Sequence, residues 1–343
     1  MSKPVAQAFD TAAERPAHLP FSVAFDARDE EALLAVWRDI LRSNRWSDGD
    51  HTRAFEAAWT AQTGLEAVAF NNWAGGALAA LDFVGVAGEK VLSPSNTFLA
   101  TPRSAQTSGA SIVFYDCNRE DLCGSFDDFV ATAERHRPKA AWIVHVGGHI
   151  AFDIERIAAY CREKGIWLIE DCAHAHGANW NGRAAGSFGD AGIYSFYPTK
   201  TISTGEGGML VTANPDLARH ACSYRDYGRG SGYRIEGMNH RIDEFTAAMG
   251  VIQTRRLADI VAWKQAYARD VLDPAYPNRV RLPEGMESGF YKYIVFDPVE
   301  GGAGKVYELP CHRIFKHSVD LANTDWVAEN HWCVPIHYPR AMS

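Results

Sequence analysis

The 343-residue sequence lacks a long apolar run and lacks any block of like charge. No uninterrupted apolar stretch approaches the ~20 residues of a membrane-spanning helix, so we expect no membrane span. A formal net charge of -8 without a basic cluster argues against binding to nucleic acid or to an anionic membrane surface. The first 22 residues have no apolar segment of the signal-peptide kind, and internal repeats are absent.

The cysteine pattern of a disulfide framework is also missing. Seven cysteines make an odd number, and no two of them have CxxC spacing. Scattered thiols of this kind are typical of a reducing compartment. We therefore expect a cytoplasmic protein.

The length and composition indicate two globular domains. A chain of 343 residues exceeds what one hydrophobic core usually supports, and a hydrophobic share of 47% is ordinary for a globular protein. The pattern from Asp243 to about Ala275 is helical and predicts a helix that links the domains. We expect an N-terminal arm at 1–22, a large domain at 23–255 and a small domain at 256–343.

Strand-like and helix-like segments alternate through the large domain, which predicts the α/β class with a mostly parallel sheet of seven strands flanked by helices. The seven expected strands are 67–70, 90–93, 111–115, 141–146, 167–171, 192–196 and 209–212. Helices are expected at 29–41, 54–63, 76–86, 99–108, 126–136 and 153–164. The C-terminal part has one strand-like run, 291–296.

Two of these strands deliver charged side chains at their carboxyl ends. The run 166–169 ends in Glu170 and Asp171, and the run 191–197 is followed by Pro198, Thr199 and Lys200. Ligands of open α/β sheets bind beyond the carboxyl ends of the strands. A carboxylate and an amine are therefore expected where a ligand binds, although a strand-end lysine is more commonly just solvated.

Longer motifs surround these residues. EDCAHAHGA (170–178) followed by SFYPTKTISTGEGGMLVT (195–212) resembles the DegT/DnrJ/StrS family of sugar aminotransferases that depend on pyridoxal 5′-phosphate. SPSNTFLAT (93–101), VHVGGH (144–149) and NHRIDEFTAAMG (239–250) match in the same order, and the resemblance weakens after about residue 265. It implies the type I aminotransferase fold with a smaller C-terminal α+β domain. The implied cofactor is pyridoxal 5′-phosphate, with pyridoxamine 5′-phosphate as its amino form.

The resemblance also implies roles for particular residues around the cofactor. Lys200 matches the imine-forming lysine, and Asp171 matches the partner of the pyridine nitrogen. Phe98 matches the aromatic residue that stacks on the ring, and Ser195 matches a serine that binds the phosphate. His174 stands where many members carry glutamine near the phenolic oxygen of the cofactor.

The phosphate site departs from the family pattern. In NNWAGGA (71–77) the pair Ala74-Gly75 replaces a Gly-Thr pair, so a hydroxyl is missing while the helix N-terminus remains. Asn239 and Arg241 match a loop that reaches the phosphate across a subunit interface. The resemblance therefore implies a homodimer with shared active sites.

The implied activity moves an amino group from L-glutamate to a keto-sugar, nucleotide-linked and of the 3- or 4-keto-6-deoxy type, in the synthesis of deoxyamino sugars for cell-surface polysaccharides or antibiotics. Lys200 favours transamination because the dehydrating relatives carry histidine at this position. The alternatives are a regulator or binding protein without turnover, and a keto-sugar dehydratase that uses pyridoxamine phosphate. A cyclitol ketone is a further possible acceptor.

Other polar residues receive simpler interpretations. Cys172, His174 and His176 lack a matching second ligand pair, so no metal site is predicted. Glu170 is expected to be a helix cap or a solvated strand end. Four residues of the C-terminal part are candidate substrate contacts but are more commonly ordinary surface or core residues: Tyr291, His312, Arg313 and His337.

Overall fold

A seven-stranded sheet forms the centre of the computed structural model, which describes residue 25 and residues 27–302 and 304–339. The strands, in chain order, are β1 (Glu66–Phe70), β2 (Lys90–Pro94), β3 (Ser111–Tyr115), β4 (Ala140–Val144), β5 (Trp167–Asp171), β6 (Asn179–Trp180), β7 (Arg183–Ala184), β8 (Ala191–Ser195), β9 (Gly208–Thr212), β10 (Met286–Glu287), β11 (Tyr293–Val295) and β12 (Trp332–Val334). Strands β6, β7 and β10 form a small second sheet, and β11 pairs with β12.

The order of the central sheet is β1-β9-β8-β5-β4-β2-β3, and β9 runs antiparallel to both of its neighbours. The other pairings are parallel. The predicted class and the seven predicted strands are confirmed, each within two residues at its ends. Because β2, β4, β5 and β8 are parallel, their carboxyl ends meet at one edge of the sheet.

The helices also follow the predicted pattern. They are α1 (Ala27–Ser43), α2 (Asp50–Thr63), α3 (Trp73–Val84), α4 (Ala100–Thr107), α5 (Phe126–His136), α6 (Ile154–Lys164), α7 (Pro215–Tyr224), α8 (Glu244–Tyr267), α9 (Asp273–Ala275), α10 (Cys311–Ile314) and α11 (Ala322–Glu329). Helix α8 runs without interruption through the expected domain boundary at 255/256, and a short π-helix follows it. The two-domain division stays a prediction, and the expected arm at 1–22 lies outside the described residues. No described helix is long and apolar enough to cross a membrane.

Side chains that alternate along the strands fill a core on each face of the sheet. Ile193 and Leu210 pack into the cluster on one face, while Tyr194 and Met209 pack into the other. Successive residues of a strand point to opposite faces, so strands buried on both faces need apolar residues at every position. This explains why β8 and β9 are buried throughout.

The C-terminal part packs back onto the large sheet through polar contacts. The hydroxyl of Ser95, just after β2, lies 2.8 Å from Nδ1 of His312 and accepts the N–H of His312 at 2.9 Å. The Asp116 carboxylate accepts the backbone N–H groups of Asn323 and Thr324 at the start of α11. His312 therefore ties the chain to the same edge of the sheet where β5 and β8 end.

Candidate active site

Asp171 lies at the carboxyl end of β5 and is almost fully buried, at 5% exposure. Its carboxylate accepts the hydroxyl of Thr101 at 2.7 Å and the N–H of Ala173 at 3.0 Å. Burial raises the pKa of Asp171, while these two hydrogen bonds and the charge of Lys200 act in the opposite direction. The carboxylate is held by two donors and favours a cationic partner at this edge of the sheet.

Lys200 lies in the turn after β8, close enough to Asp171 for the charge of each residue to shift the pKa of the other. It is half-buried, and its Nζ is 4.8 Å from the centre of the Tyr291 ring. Burial lowers the pKa of Lys200 to about 8; the Asp171 charge opposes this effect and the Lys292 charge reinforces it. Because the pKa is lowered, Lys200 is a free amine in a larger fraction of the protein molecules, and the free amine is the form that attacks a carbonyl carbon.

His174 packs against two tyrosines beside Lys200. Its ring stacks on Tyr291 at a centroid distance of 4.0 Å, and Tyr307 is nearly parallel to it at 5.8 Å. Burial lowers the pKa of His174 well below its usual range, so the ring is neutral. Nδ1 accepts the N–H of Gly147 at 3.4 Å, which leaves the proton on Nε2 as a donor.

Ser195 and the N-terminus of α3 lie on the two sides of Gly208. Gly208 pairs with Ser195 on one neighbouring strand and with Phe70, the last residue of β1, on the other. A Cβ on Gly208 would fall 2.3 Å from the carbonyl oxygen of Asn72, so only glycine fits between these elements. The hydroxyl and the helix N-terminus together suit a phosphate.

The backbone at Ala74 and Gly75 is only partly available to a ligand. The side chain of Asn72 caps α3 and accepts the N–H of Gly75 at 2.9 Å. A side chain on Gly75 would also meet His240, 3.0 Å away. This contact gives a steric reason for the missing hydroxyl, since a side chain at position 75 would require both His240 and Phe70 to shift by a few tenths of an ångström.

Phe98 and Asn239 are both exposed. Phe98 is 58% exposed and opens the turn into α4, three residues before the Thr101 that holds Asp171. The backbone of Asn239 forms an isolated antiparallel β-bridge with Asp226, and its side-chain oxygen accepts the N–H of Arg241 at 3.3 Å. The role of Asn239 at the phosphate stays a prediction.

Glu170 is not a solvated strand end, and the expectation for it is wrong. Its side chain is fully buried and accepts the N–H groups of Gly186, Phe188 and Gly189 at 2.6 to 2.7 Å. Nε2 of His145 lies 2.8 Å away and completes the set. A buried carboxylate is tolerated when hydrogen-bond donors surround it. Here the hydrogen bonds to Glu170 hold the loop before β8 beside β5.

The side chains of Cys172, His174 and His176 face different partners. Cys172 lies against the carbonyl of Glu170, while His176 packs edge-on against Trp59. Among the described residues, two other buried sets come close enough to share one ion: Asp121, Cys123 and His149, and His145, Glu170 and Cys172. Members of both sets already bond to each other or to the backbone, as His149 does to the carbonyl of Asp121 at 3.0 Å.

The arrangement fits pyridoxal phosphate by the chemistry of its groups. Lys200 offers an amine for the aldehyde, and Asp171 offers a buried carboxylate for the ring nitrogen. Ser195 and the start of α3 offer donors for the phosphate. The exposed ring of Phe98 is free to cover a planar ligand.

Comparisons with known proteins agree with this site. Residues 27–274 match the model of the DegT/DnrJ/EryC1/StrS aminotransferase family. The chain is 34% identical to dTDP-4-dehydro-2,3,6-trideoxy-D-glucose 4-aminotransferase of Saccharopolyspora spinosa, over 77% of this chain and 74% of that one. It is also 34% identical to a pleiotropic regulatory protein of Geobacillus stearothermophilus, over 78% and 74% of the two chains.

A solved structure shows the same fold over nearly the whole length. The aminotransferase TlmJ of Streptoalloteichus hindustanus superposes with a TM-score of 0.83 at 28% identity and covers 93% of each chain. Fold, site chemistry and sequence thus point to one group of enzymes. The chain belongs to the DegT/DnrJ/EryC1/StrS aminotransferase family.

Proposed function

We propose that this transaminase moves an amino group from L-glutamate to the carbonyl of a nucleotide-linked keto-sugar. The observation that carries the proposal is that the parallel neighbours β5 and β8 bring the buried carboxylate of Asp171 and the amine of Lys200 to one edge of the sheet, where each charge acts on the other. The dTDP-sugar named for the Saccharopolyspora relative supports the acceptor class. A cytoplasmic location, supported by seven unpaired thiols, belongs to the same proposal.

Pyridoxal phosphate, the cofactor of this family, supplies an electron sink that makes the α-proton of a bound amino acid acidic. Lys200 would hold its aldehyde carbon and Asp171 its ring nitrogen. Ser195 and the N-terminus of α3 would hold its phosphate, and Phe98 would cover its ring. The neutral ring of His174 would donate from Nε2 to an oxygen of the cofactor.

Lys200 would also move the proton. With a pKa of about 8, Lys200 is a free amine in roughly one tenth of the protein molecules at pH 7. For an ordinary lysine the fraction is less than about one in a thousand. Its Nζ would take the α-proton of the donor as a general base in the first half-reaction, and would deliver a proton to the former carbonyl carbon of the acceptor as a general acid in the second. The negative charge of the buried Asp171 carboxylate would stabilise the protonated ring nitrogen through both half-reactions.

The donor and acceptor can be tested in separate half-reactions. Purified protein treated with L-glutamate should lose the absorbance band of its lysine-bound cofactor, because the cofactor then carries the amino group. A nucleotide-linked 3- or 4-keto-6-deoxy sugar should restore the band and leave as an amino sugar. Recovery with a cyclitol ketone and with no nucleotide-linked sugar would contradict the proposed acceptor.

Two other functions can be distinguished from transamination by experiment. The relative named as a pleiotropic regulatory protein favours a regulator, which would take up no cofactor or would show no turnover. A dehydratase would release ammonia instead of completing an amino transfer. Free lysine at position 200 supports transfer, since its amine can form the imine and shuttle the proton.

We also infer a homodimer in which Asn239 reaches the phosphate of the partner subunit. Large apolar side chains are exposed near the candidate site residues and on the loop that carries Asn239: Phe98, Leu99, Tyr197, Tyr227, Tyr233 and Met238, at 39% to 71%. Exposed apolar side chains that cluster on a surface mark interaction sites, and these fall into short stretches of the sequence. Their nearness in sequence to the candidate site residues supports a shared site.

Mixed dimers give a direct test of the shared site. We expect Lys200→Ala and Asn239→Asp to be inactive alone, the second because a negative charge would face the cofactor phosphate. Co-expressed in equal amounts, they should recover about a quarter of wild-type activity, because half of the dimers are mixed and each mixed dimer has one intact site. Lys200→Ala with Asp171→Asn should recover nothing, since both residues serve one subunit's site. Lack of recovery in the first pair would contradict the trans role of Asn239.

A further inference from the structure

Three lysine side chains converge on two consecutive residues of the C-terminal part. Nζ of Lys200 and Nζ of Lys292 lie 4.8 and 5.4 Å from the centre of the Tyr291 ring. Nζ of Lys264, on α8, donates to the carbonyl of Phe290 at 3.0 Å. Lys200 and Lys292 approach the same ring, so their nitrogens are at most about 10 Å apart, the two distances added.

The positive charges of Lys264 and Lys292 have no described counter-ion. In the described part of the chain, Lys164 is the lysine that forms ion pairs within 4 Å. Lys264 is only 6% exposed, and the Phe290 carbonyl satisfies one of its three N–H groups. Burial and the charge of Lys292 lower the pKa of Lys264 to about 8. Burial disfavours the ammonium form, and the described partner of Lys264 is a carbonyl oxygen, so a bound anion would stabilise the charged form of this side chain.

We propose that Lys264 and Lys292 form a subsite for an oxyanion of the substrate, next to the amine of Lys200. The assignment rests on the proposed function, because that reaction supplies two anionic substrates. A carboxylate of the amino-acid donor or a phosphate of the nucleotide-linked acceptor would bind between the two ammonium groups. Either anion would orient its substrate so that the reacting carbon lies at Nζ of Lys200.

The subsite can be measured by anion binding to the holoenzyme. Glutarate represents the carboxylates of the donor, and inorganic pyrophosphate represents the phosphates of the acceptor; calorimetry gives the affinity of each. Lys292→Gln should weaken binding of at least one probe about tenfold or more, while Lys292→Arg should keep it within a few-fold. Lys139→Gln is the matched control, because Lys139 is exposed and precedes β4 at the opposite edge of the sheet.

A second variant separates binding from a structural role. Lys264→Met removes the buried charge, so it should weaken anion binding, and the thermal midpoint of unfolding reports what the lost hydrogen bond to Phe290 contributes to the fold. A lower midpoint with unchanged anion binding would mean that Lys264 only supports the fold, and would overturn the proposal.

The two probes identify which substrate uses the subsite. Selective loss of glutarate binding assigns it to the donor, selective loss of pyrophosphate binding assigns it to the acceptor, and loss of both assigns it to both in turn. Equal affinities of wild type and Lys292→Gln for both probes would overturn the proposal. The titrations need no turnover, so a failed half-reaction screen would reject the proposed function without deciding the subsite.

Discussion

Replacement of Lys200 by alanine should abolish transamination and remove the absorbance band of the lysine-bound cofactor. The side chain is expected to supply both the covalent attachment and the proton shuttle. Loss of the general base and acid alone costs about 10²- to 10⁴-fold in kcat. Absorbance spectra of purified protein and initial rates with L-glutamate and a nucleotide-linked keto-sugar measure the two effects.

The control for this substitution is Lys139→Ala, which removes an exposed lysine from the opposite edge of the sheet. It should keep both the band and the rate. Thermal unfolding should be similar in both variants, since Lys200 makes no described ion pair within 4 Å and lies in a turn. A Lys200→Ala protein with an unchanged band and full turnover would reject the proposed role of this lysine.

The sheet was predictable from the sequence because strands buried on both faces leave a strong local signal. The runs 167–171 and 191–195 are short, apolar and bounded by polar or glycine-rich segments, and both are strands. Parallel neighbours then bring their carboxyl ends together, so the nearness of Asp171 and Lys200 followed from chain order and topology. The family resemblance was needed only to assign their chemistry.

Contacts between residues that are far apart in the sequence leave no such local pattern. Glu170 and Asp171 are adjacent in the same strand, yet one holds a loop and the other faces the cavity, because successive residues point to opposite sides. Thr101 contacts Asp171 across 70 residues, and no spacing rule predicts that contact. The motif SPSNTFLAT contained Thr101 without indicating its partner.

The C-terminal part was the least predictable region, although it contributes Tyr291 and Tyr307 to the candidate site. Tyr291 stacks on His174 and borders Lys200, but from the sequence it was only one of several candidate contacts. Lys264 lies on a helix whose pattern predicts a buried face, and nothing in that pattern indicates a charge there. Their positions depend on how residues after 265 fold back onto the sheet, as the Ser95–His312 contact does.

The second large effect is expected from Asp171→Asn, which should lower kcat on the order of 10³-fold. Asparagine keeps the shape and both hydrogen bonds. Its carbonyl can accept the N–H of Ala173, and its amide can donate to Thr101, whose hydroxyl can turn toward Thr97 at 2.9 Å. The lost rate therefore reports the missing negative charge, measured as kcat with saturating cofactor.

The same substitution should shift the titration of Lys200 to lower pH. The Asp171 carboxylate stabilises the ammonium form and so raises the pKa of Lys200 against the effect of burial. Without that charge, the pKa should fall below about 8. In cofactor-free protein, the rate of pyridoxal phosphate uptake follows the free amine, so its midpoint in a pH series should move downward.

An exposed acid in the same segment provides the comparison for Asp171. Glu206 lies six residues after Lys200 and is solvent-exposed, so its charge is screened by water. Glu206→Gln should leave kcat and the midpoint of cofactor uptake unchanged. If Asp171→Asn left both unchanged as well, the carboxylate would not act on the ring nitrogen or on Lys200. A lower kcat with an unmoved midpoint would limit its role to the cofactor, because the charge would then not reach the amine.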